Sequence, residues 1–539
     1  MAAASILAAA SVALAVTATS APAPQPPTQP AASTSSPSDW QLDANASIEA
    51  RGTTIFEDPL EVGRPLPTDQ RKLEGLRIIE QRARIGAELE WGRSTGLINQ
   101  VNLRVQADLL NGPSARGSAV DGTDGSATSP DHAPTASVLA VDPEYQRDLS
   151  LGAGDKFYMR QFAVEARSRW GRILAGRTVS QWGLGLLAQD GVDDPMQFGF
   201  KRRAAVVDRV QMTLIPGAIP GDGTWAGVFP VALVLAYDNV YEDDLAAVAQ
   251  GEDATNLIGA ALAKFDDLEI GVYAVRREQT DSRGLYINAN VADFYARFKR
   301  RFGRYKVNLA TEWLQVSGDT TYFRTATNPD ALKVDQLGGV VRADLARGKF
   351  RLRLEGGLAS ADQNAWDDTV RNFKLARDYR VGLVLFHDVM RRVSSNTAAN
   401  LADPRFAGQP PAGYERIATA GSVSQAMYLH PVLRIGDFYG ISGMIGYLWA
   451  RSPSKYVDPH KSSLKGGAAI GPMGGPASDD LGTELDLAIQ YRVRIDKVAL
   501  IARADWGCAT LGEAFADEDG KVADGVCTVM GQLLARARW

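Results

Sequence analysis

Few residues in this chain are able to make or break bonds. Nucleophilic catalysis needs a Ser or Cys held beside a His, and there are four histidines, His132, His387, His430 and His460. None stands in a G-x-S-x-G or H-E-x-x-H setting, so no catalytic, metal-ligating or cofactor-binding residue is assigned. Two acidic stretches, "DGTDG" at 121–125 and "ADEDGKVADG" at 516–525, offer the oxygen ligands that calcium takes, but without an EF-hand pattern; solvated acidic loops account for them better. Cys508 and Cys527 are the two cysteines. In an oxidising compartment they would pair and close a loop of about 18 residues, worth roughly 3 kcal/mol; in a reducing one they would be two unrelated buried thiols.

The charged residues, in contrast, carry a pattern. In "ELDLAIQYRVRI", Leu485, Leu487, Ile489, Tyr491, Val493 and Ile495 alternate with Glu484, Asp486, Gln490, Arg492 and Arg494. "KFRLRLEGGL" sets Phe350, Leu352 and Leu354 against Arg351, Arg353 and Glu355, and "VVRADLARG" repeats the pattern around Arg342 and Asp344. A period of two places one set on each face of a strand. The repeated segments run to about 9–12 residues, the length a tilted strand needs to cross a bilayer, with the apolar face toward lipid and the charged face toward water. Soluble amphipathic sheets are the competing account.

Composition agrees with a membrane barrel and excludes other classes. The net charge of −5 and a pI near 5.6 supply no basic excess, so no nucleic-acid partner is expected. Residues 1–23, "MAAASILAAASVALAVTATSAPA", read as a signal peptide, although no Lys or Arg follows Met1. Residues 24–75 begin Pro- and Ser-rich and read as a periplasmic linker or N-terminal segment. Residues 76–539 are then the barrel. No later run approaches the roughly 18 apolar residues of a membrane helix, which leaves a closed antiparallel β-barrel as the way to satisfy every backbone polar group in lipid.

Connections alternate in kind. "RRFGRYK", "LARGKF", "RIGDFY" and "RIDKVA" suit tight hairpin turns, whereas about 111–155, 188–202, 318–333, 362–375, 395–424, 453–480 and 507–527 are long and polar. Short turns on one side and long loops on the other characterise an up-and-down outer-membrane barrel, here of about 18 strands with a range of 16–20. Parity asks for one further strand within 45–54, and for either a strand or a short helix around "HDVMRRVSSNTAANLAD". Aromatic residues gather toward strand ends, as interfacial girdles require. The chain ends "VMGQLLARARW", an alternating strand with Trp539 last; this is similar to the signal read by the outer-membrane assembly machinery.

The stretch "EARSRWGRILAGRTVSQWGLGLLAQDG", followed by "VVDRVQMTLIP", resembles a family of predicted outer-membrane β-barrel proteins known mainly from myxobacteria and their relatives. That family is marked by G-R-x-x-S-x-W-G-L-G, an N-D-G-like element and D-R-V; here these are Gly176, Arg177, Ser180, Trp182, Gly183, Leu184 and Gly185, then Gln189, Asp190 and Gly191, then Asp208, Arg209 and Val210. Gln189 replaces the Asn of the pattern. The family has no established activity, so the resemblance implies location and fold alone. Read as one strand from Ile173, the motif puts Arg177, Gln181, Gly183 and Gly185 on the lumen face and Leu174, Trp182, Leu184 and Leu186 opposite. The glycines either admit a folded-in loop or permit strand curvature.

These observations imply a porin-like outer-membrane channel for passive diffusion of small polar or charged solutes, not an enzyme. Its expected pore lining is Arg177, Gln181, Arg342, Asp344, Arg351, Arg353, Glu355, Glu484, Asp486, Arg492 and Arg494. A plugged structural or adhesive barrel is the alternative, and an outer-membrane hydrolase a more distant one. Expected partners are outer-membrane lipids, the assembly machinery and small polar solutes.

Overall fold

The structure, a computed structural model, describes residues 40–56, 77–92, 98–117, 157–168, 170–201, 204–216, 231–248, 251–322, 330–364, 367–402 and 417–539. Its strands are β1 (Trp40–Phe56), β2 (Arg77–Gly92), β3 (Gln100–Gly117), β4 (Tyr158–Ser168), β5 (Gly171–Ser180), β6 (Ala205–Leu214), β7 (Val231–Glu242), β8 (Asp253–Lys264), β9 (Leu268–Thr280) and β10 (Tyr286–Phe302). The series continues with β11 (Tyr305–Thr320), β12 (Leu332–Arg347), β13 (Phe350–Ala359), the two-residue β14 (Thr369–Val370), β15 (Ala426–Phe438), β16 (Ile441–Arg451), β17 (Asp480–Ile495), β18 (Val498–Leu511) and β19 (Val526–Arg538). Leaving out β14, each strand pairs antiparallel with its neighbours in sequence, and β19 returns to β1, so eighteen strands close a barrel.

The closing seam is held from inside. Glu49 on β1 accepts hydrogen bonds from Arg51 Nε (2.7 Å), from Arg82 of β2 (2.6 Å) and from Gln532 of β19. The barrel therefore begins at Trp40, not at residue 76, and part of the segment read as linker is wall. β1 is the strand that parity asked for within 45–54. The signal-peptide region and residues 24–39 lie outside the described residues.

At one end, two-residue turns join Phe302 to Tyr305, Arg347 to Phe350, Phe438 to Ile441 and Ile495 to Val498. Gly303, Gly348, Tyr439 and Asp496 take positive φ at these corners, the left-handed geometry that lets a tight hairpin follow the strand twist. Trp539 and the first described residue, Trp40, lie at this end, where Trp40 packs near Trp91. The opposite end carries the long connections. The largest runs from β13 to β15 and holds β14, a π-helical turn (Leu385–Met390) and α1 (Arg391–Ala402); another, between β16 and β17, holds α2 (Pro459–Leu464). Of the two options left by parity around His387, the helix is correct.

Alternation sets the wall's two faces. Ile173, Val210, Leu235, Leu257, Val341, Leu352, Leu354, Leu487 and Ile489 point outward and are exposed, while the inward set includes Glu165, Asp238, Glu312, Arg353, Glu355, Glu484, Asp486 and Asp505, all under 9% exposed. An apolar exterior around a charged interior reverses the arrangement of a soluble barrel and matches what lipid demands.

A charged lumen crossed by two inserted loops

On β12 and β13 the inward residues form one connected network. Arg342 donates to Glu355 (2.7 Å) and to the Tyr379 hydroxyl (2.8 Å), and Arg353 donates to Asp344 (2.7 Å). Glu355 also accepts from the hydroxyls of Tyr379 and Tyr428. Charges buried this deeply are tolerable only when partnered and hydrogen-bonded, and here each has two or more partners. Asp194 enters from the β5–β6 loop and takes Arg353 Nη1 at 2.7 Å. Burial alone would raise its carboxyl, but Arg353 and Arg342 more than offset that and hold it at about 2.

The β5–β6 loop is a strap across the lumen. β5 stops at Ser180, and the next turn folds inward: the Trp182 indole donates to Asp293 of β10 (3.0 Å) and stacks on Tyr273 of β9 with centroids 4.9 Å apart, while the Leu184 amide donates to Glu312 of β11. Gly183 has φ +54, and a Cβ there would collide with the Glu312 carboxylate, so close approach to the wall requires glycine. Beyond Asp194, Arg503 of β18 donates to the Gln197 carbonyl, the Gly199 amide donates to Asp505 (2.8 Å), and Arg51 of β1 reaches the Lys201 carbonyl (3.0 Å). Phe198 is buried against β16 at Gly446, where a side chain would strike its ring.

The β13–β15 excursion inserts beside the strap. Its helical part is fixed by Glu484 of β17, whose carboxylate accepts the amides of Leu383, Val384 (2.8 Å) and Leu385 (2.7 Å). An anion at the unsatisfied N–H end of a helix is stabilised by hydrogen bonds and dipole together. Asp388 in the π turn accepts from Thr528 of β19 (2.6 Å). Leu186, Met196 and Phe198 of the strap meet Leu383, Phe386, Val389 and Met390 of the excursion in one apolar cluster inside the barrel.

The expected pore residues thus divide. Arg342, Asp344, Arg353 and Glu355 are inward and clamp the strap. Glu484 and Asp486 are inward and buried; Glu484 holds the helix, and Asp486 lies 4.0 Å from His430. Arg351, Arg492 and Arg494 share the inward parity and are exposed near the short-turn end. Arg177 does not line the lumen. It has the parity of outward Ile173 and makes two 2.8 Å bonds to Asp208, which shares the parity of outward Val210. Gln181 is exposed beyond the end of β5, and Trp182, Leu184 and Leu186, placed toward lipid by extending the strand, turn into the lumen. Asp194, Asp293 and Tyr379 are not among the expected residues: the first and last lie in loops without alternation, and Asp293 is the lone acid of β10, between Val291 and Tyr295 on its inward face.

Cys508 and Cys527 face each other across β18 and β19 and are joined by a disulfide. Trp539 is part of the ladder: its N–H donates to the Ala44 carbonyl (2.8 Å), and Ala44 returns the bond (3.2 Å).

Above the Trp182 turn, toward the long-loop end, the lumen holds a cavity of about 260 Å³. Its wall is apolar: Val275, Ile287, Val291, Val316 and Val334. Its charged residues are already paired: Asp244 accepts the Arg377 amide (2.7 Å) and lies 3.9 Å from the Arg377 guanidinium, and Lys374 donates to the Ala418 carbonyl (2.7 Å). Asp243 receives Arg277 Nη1 at 2.6 Å; burial would raise its carboxyl, but Arg277 holds it below the usual range.

No family model matches the chain, and no curated protein matches it. Among solved structures it is similar to Pseudomonas aeruginosa OccK1 (OpdK), with 11% identity and a TM-score of 0.46 over 92% of this chain and 99% of that one. It is likewise similar to OpdK of that organism crystallised with vanillate, with 11% identity and a TM-score of 0.47 over 92% and 99% of the two chains. Acinetobacter baumannii OccAB1 is similar at 11% identity and a TM-score of 0.45 over 92% and 96%.

Proposed function

We propose that this protein is an outer-membrane channel through which small polar or charged solutes diffuse, its path narrowed by the strap and the inserted helix. The reading rests on the inside-out wall: charged side chains line the interior of a closed barrel whose exterior is apolar, and water beside those charges is what a solute path supplies. Bond-making chemistry has no comparable support; His387 accepts the Val381 amide through Nε2 (3.1 Å) and His430 lies against Phe198, both positions of packing. A second reading, a plugged structural barrel, draws on the apolar cluster within the lumen.

Refolded protein in a planar bilayer separates the two. A channel gives discrete conductance steps with a reversal potential set by the salt gradient, whereas a plugged barrel shifts on a gel between unheated and boiled samples yet passes no current. A protein that is soluble without detergent and whose migration ignores heating would defeat both readings.

A further inference from the structure

The three strands nearest the Trp182 turn are ordered alike along the barrel axis. On β9, Arg277, Val275 and Tyr273 line the cavity, and Gly271, one inward position nearer the short turns, lies under the Trp182 ring. On β10, Ile287 and Val291 line it, and Asp293 below binds the indole. On β11, Val316 lines it, and Glu312 below binds the Leu184 amide. Leu187 and Ala188 of the strap line the cavity itself, and the Trp182 turn lies one inward step below, so the strap floors it. Purely aqueous passage has no use for a row of inward valines at this level, since each leaves apolar surface against water.

We propose that this cavity is a solute-holding site for a small zwitterion with an apolar side chain, such as an aliphatic amino acid, and that the Trp182–Leu184 turn is the floor it must displace to pass. The inference rests on the channel reading and names its solute class. The valines take the side chain. Asp243 is held by Arg277, but Asp244 and Arg377 lie side by side on the lining, and an adjacent anion and cation are what the neighbouring ammonium and carboxylate of a zwitterionic head would exchange with. A cavity of about 260 Å³ has room for a solute of amino-acid size. Pockets of this kind, apolar with a few convergent charges, are those that hold organic solutes.

Leucine and glycine share a zwitterionic head and differ in the side chain, so they test the valine wall. In bilayer recordings, leucine at millimolar concentration is expected to interrupt the current in a concentration-dependent way, with glycine inert. A Val291→Thr, Val316→Thr double variant, nearly isosteric but carrying hydroxyls into the wall, should weaken the leucine effect at least about fivefold. A conducting channel that leucine and glycine affect equally, or that leucine leaves untouched, overturns the proposal while the channel reading stands. If no current is seen, the channel reading fails and the site is read in detergent by tryptophan fluorescence. A saturable change with leucine, absent with glycine and lost in Trp182→Phe, supports the site; no change with leucine overturns it.

Discussion

Arg353 and Asp194 lie 159 residues apart in sequence and 2.7 Å apart in space, and their pairing ties a loop to the barrel wall. Asp194 is held at about 2 against an ordinary value of 3.8. A carboxyl lowered on folding stabilises the native state fully above its unfolded value, and the contribution disappears as pH falls toward the folded one. The strap should therefore stay docked above about pH 4 and loosen between about pH 4 and 2, losing about 2 kcal/mol of clamping. Asp194→Asn should reproduce the loosened state at neutral pH. Single-channel conductance across this range, wild type against variant, checks it; a wild type that loosens near neutrality contradicts the clamp.

Parity separates neighbours on β13. Leu352 is 45% exposed and outward, and Arg353 is 8% exposed and inward. Leu352→Arg sets a charge against lipid two residues from the short turn, where the cost falls below the roughly 2–4 kcal/mol of the midplane, and should cut the yield of heat-modifiable protein modestly. Arg351→Ala with Arg353→Ala should assemble but change ion selectivity, since Arg351 is exposed toward the mouth and Arg353 holds Asp194 and Asp344. Refolding yield and reversal potential distinguish the two, and the reverse outcome would exchange inside and outside.

Trp539 closes the hydrogen-bond ladder with Ala44. Deleting it removes two backbone bonds at the β1–β19 seam together with an aromatic anchor, whereas Arg538→Ala leaves the ladder whole. Deletion should impair assembly more, read as the heat-modifiable fraction in isolated outer membranes; equal losses would deny Trp539 a special part.

The wall was legible in the sequence because a strand with lipid on one side and water on the other must alternate at every residue, as Leu485 to Ile495 do. Turn chemistry marked one end as well. What alternation cannot report is where a strand stops and its chain turns into the lumen. Ser180 to Leu186 continues the apolar and small-residue rhythm of β5, so Trp182 read as lipid-facing although Gly183 at φ +54 sends it inward. Arg177 was misplaced for a related reason: a charge was presumed to face water, while Asp208 beside it on β6 satisfies it on the outer face. β1 lay behind a Pro- and Ser-rich stretch, and its alternation is carried largely by small residues: Ala44, Ala46 and Ala50 share the outward face with Trp40, Leu42 and Ile48. Glu484 was placed on the correct face without any hint of its task, because three loop amides supply its partners.

Glu484 carries the last prediction. Its carboxylate accepts three consecutive amides at the start of the helical insert, from a wall position that is 1% exposed. Glu484→Gln keeps the shape but replaces one accepting oxygen with an NH₂ that faces N–H groups. At least one buried amide then loses its acceptor, at roughly 1–3 kcal/mol, and the favourable charge at the helix start is gone. The wall itself should be indifferent, because β17 keeps its ladders with β16 and β18. The expected result is a barrel that still assembles and shifts on heating, but whose Leu383–Ala402 segment exchanges amide hydrogens faster and is cut more readily by protease. Glu484→Ala should behave similarly, with a larger void. Hydrogen exchange measured peptide by peptide tests this. Unchanged protection of 383–402 in both variants would mean that the apolar cluster, not Glu484, holds the helix in place.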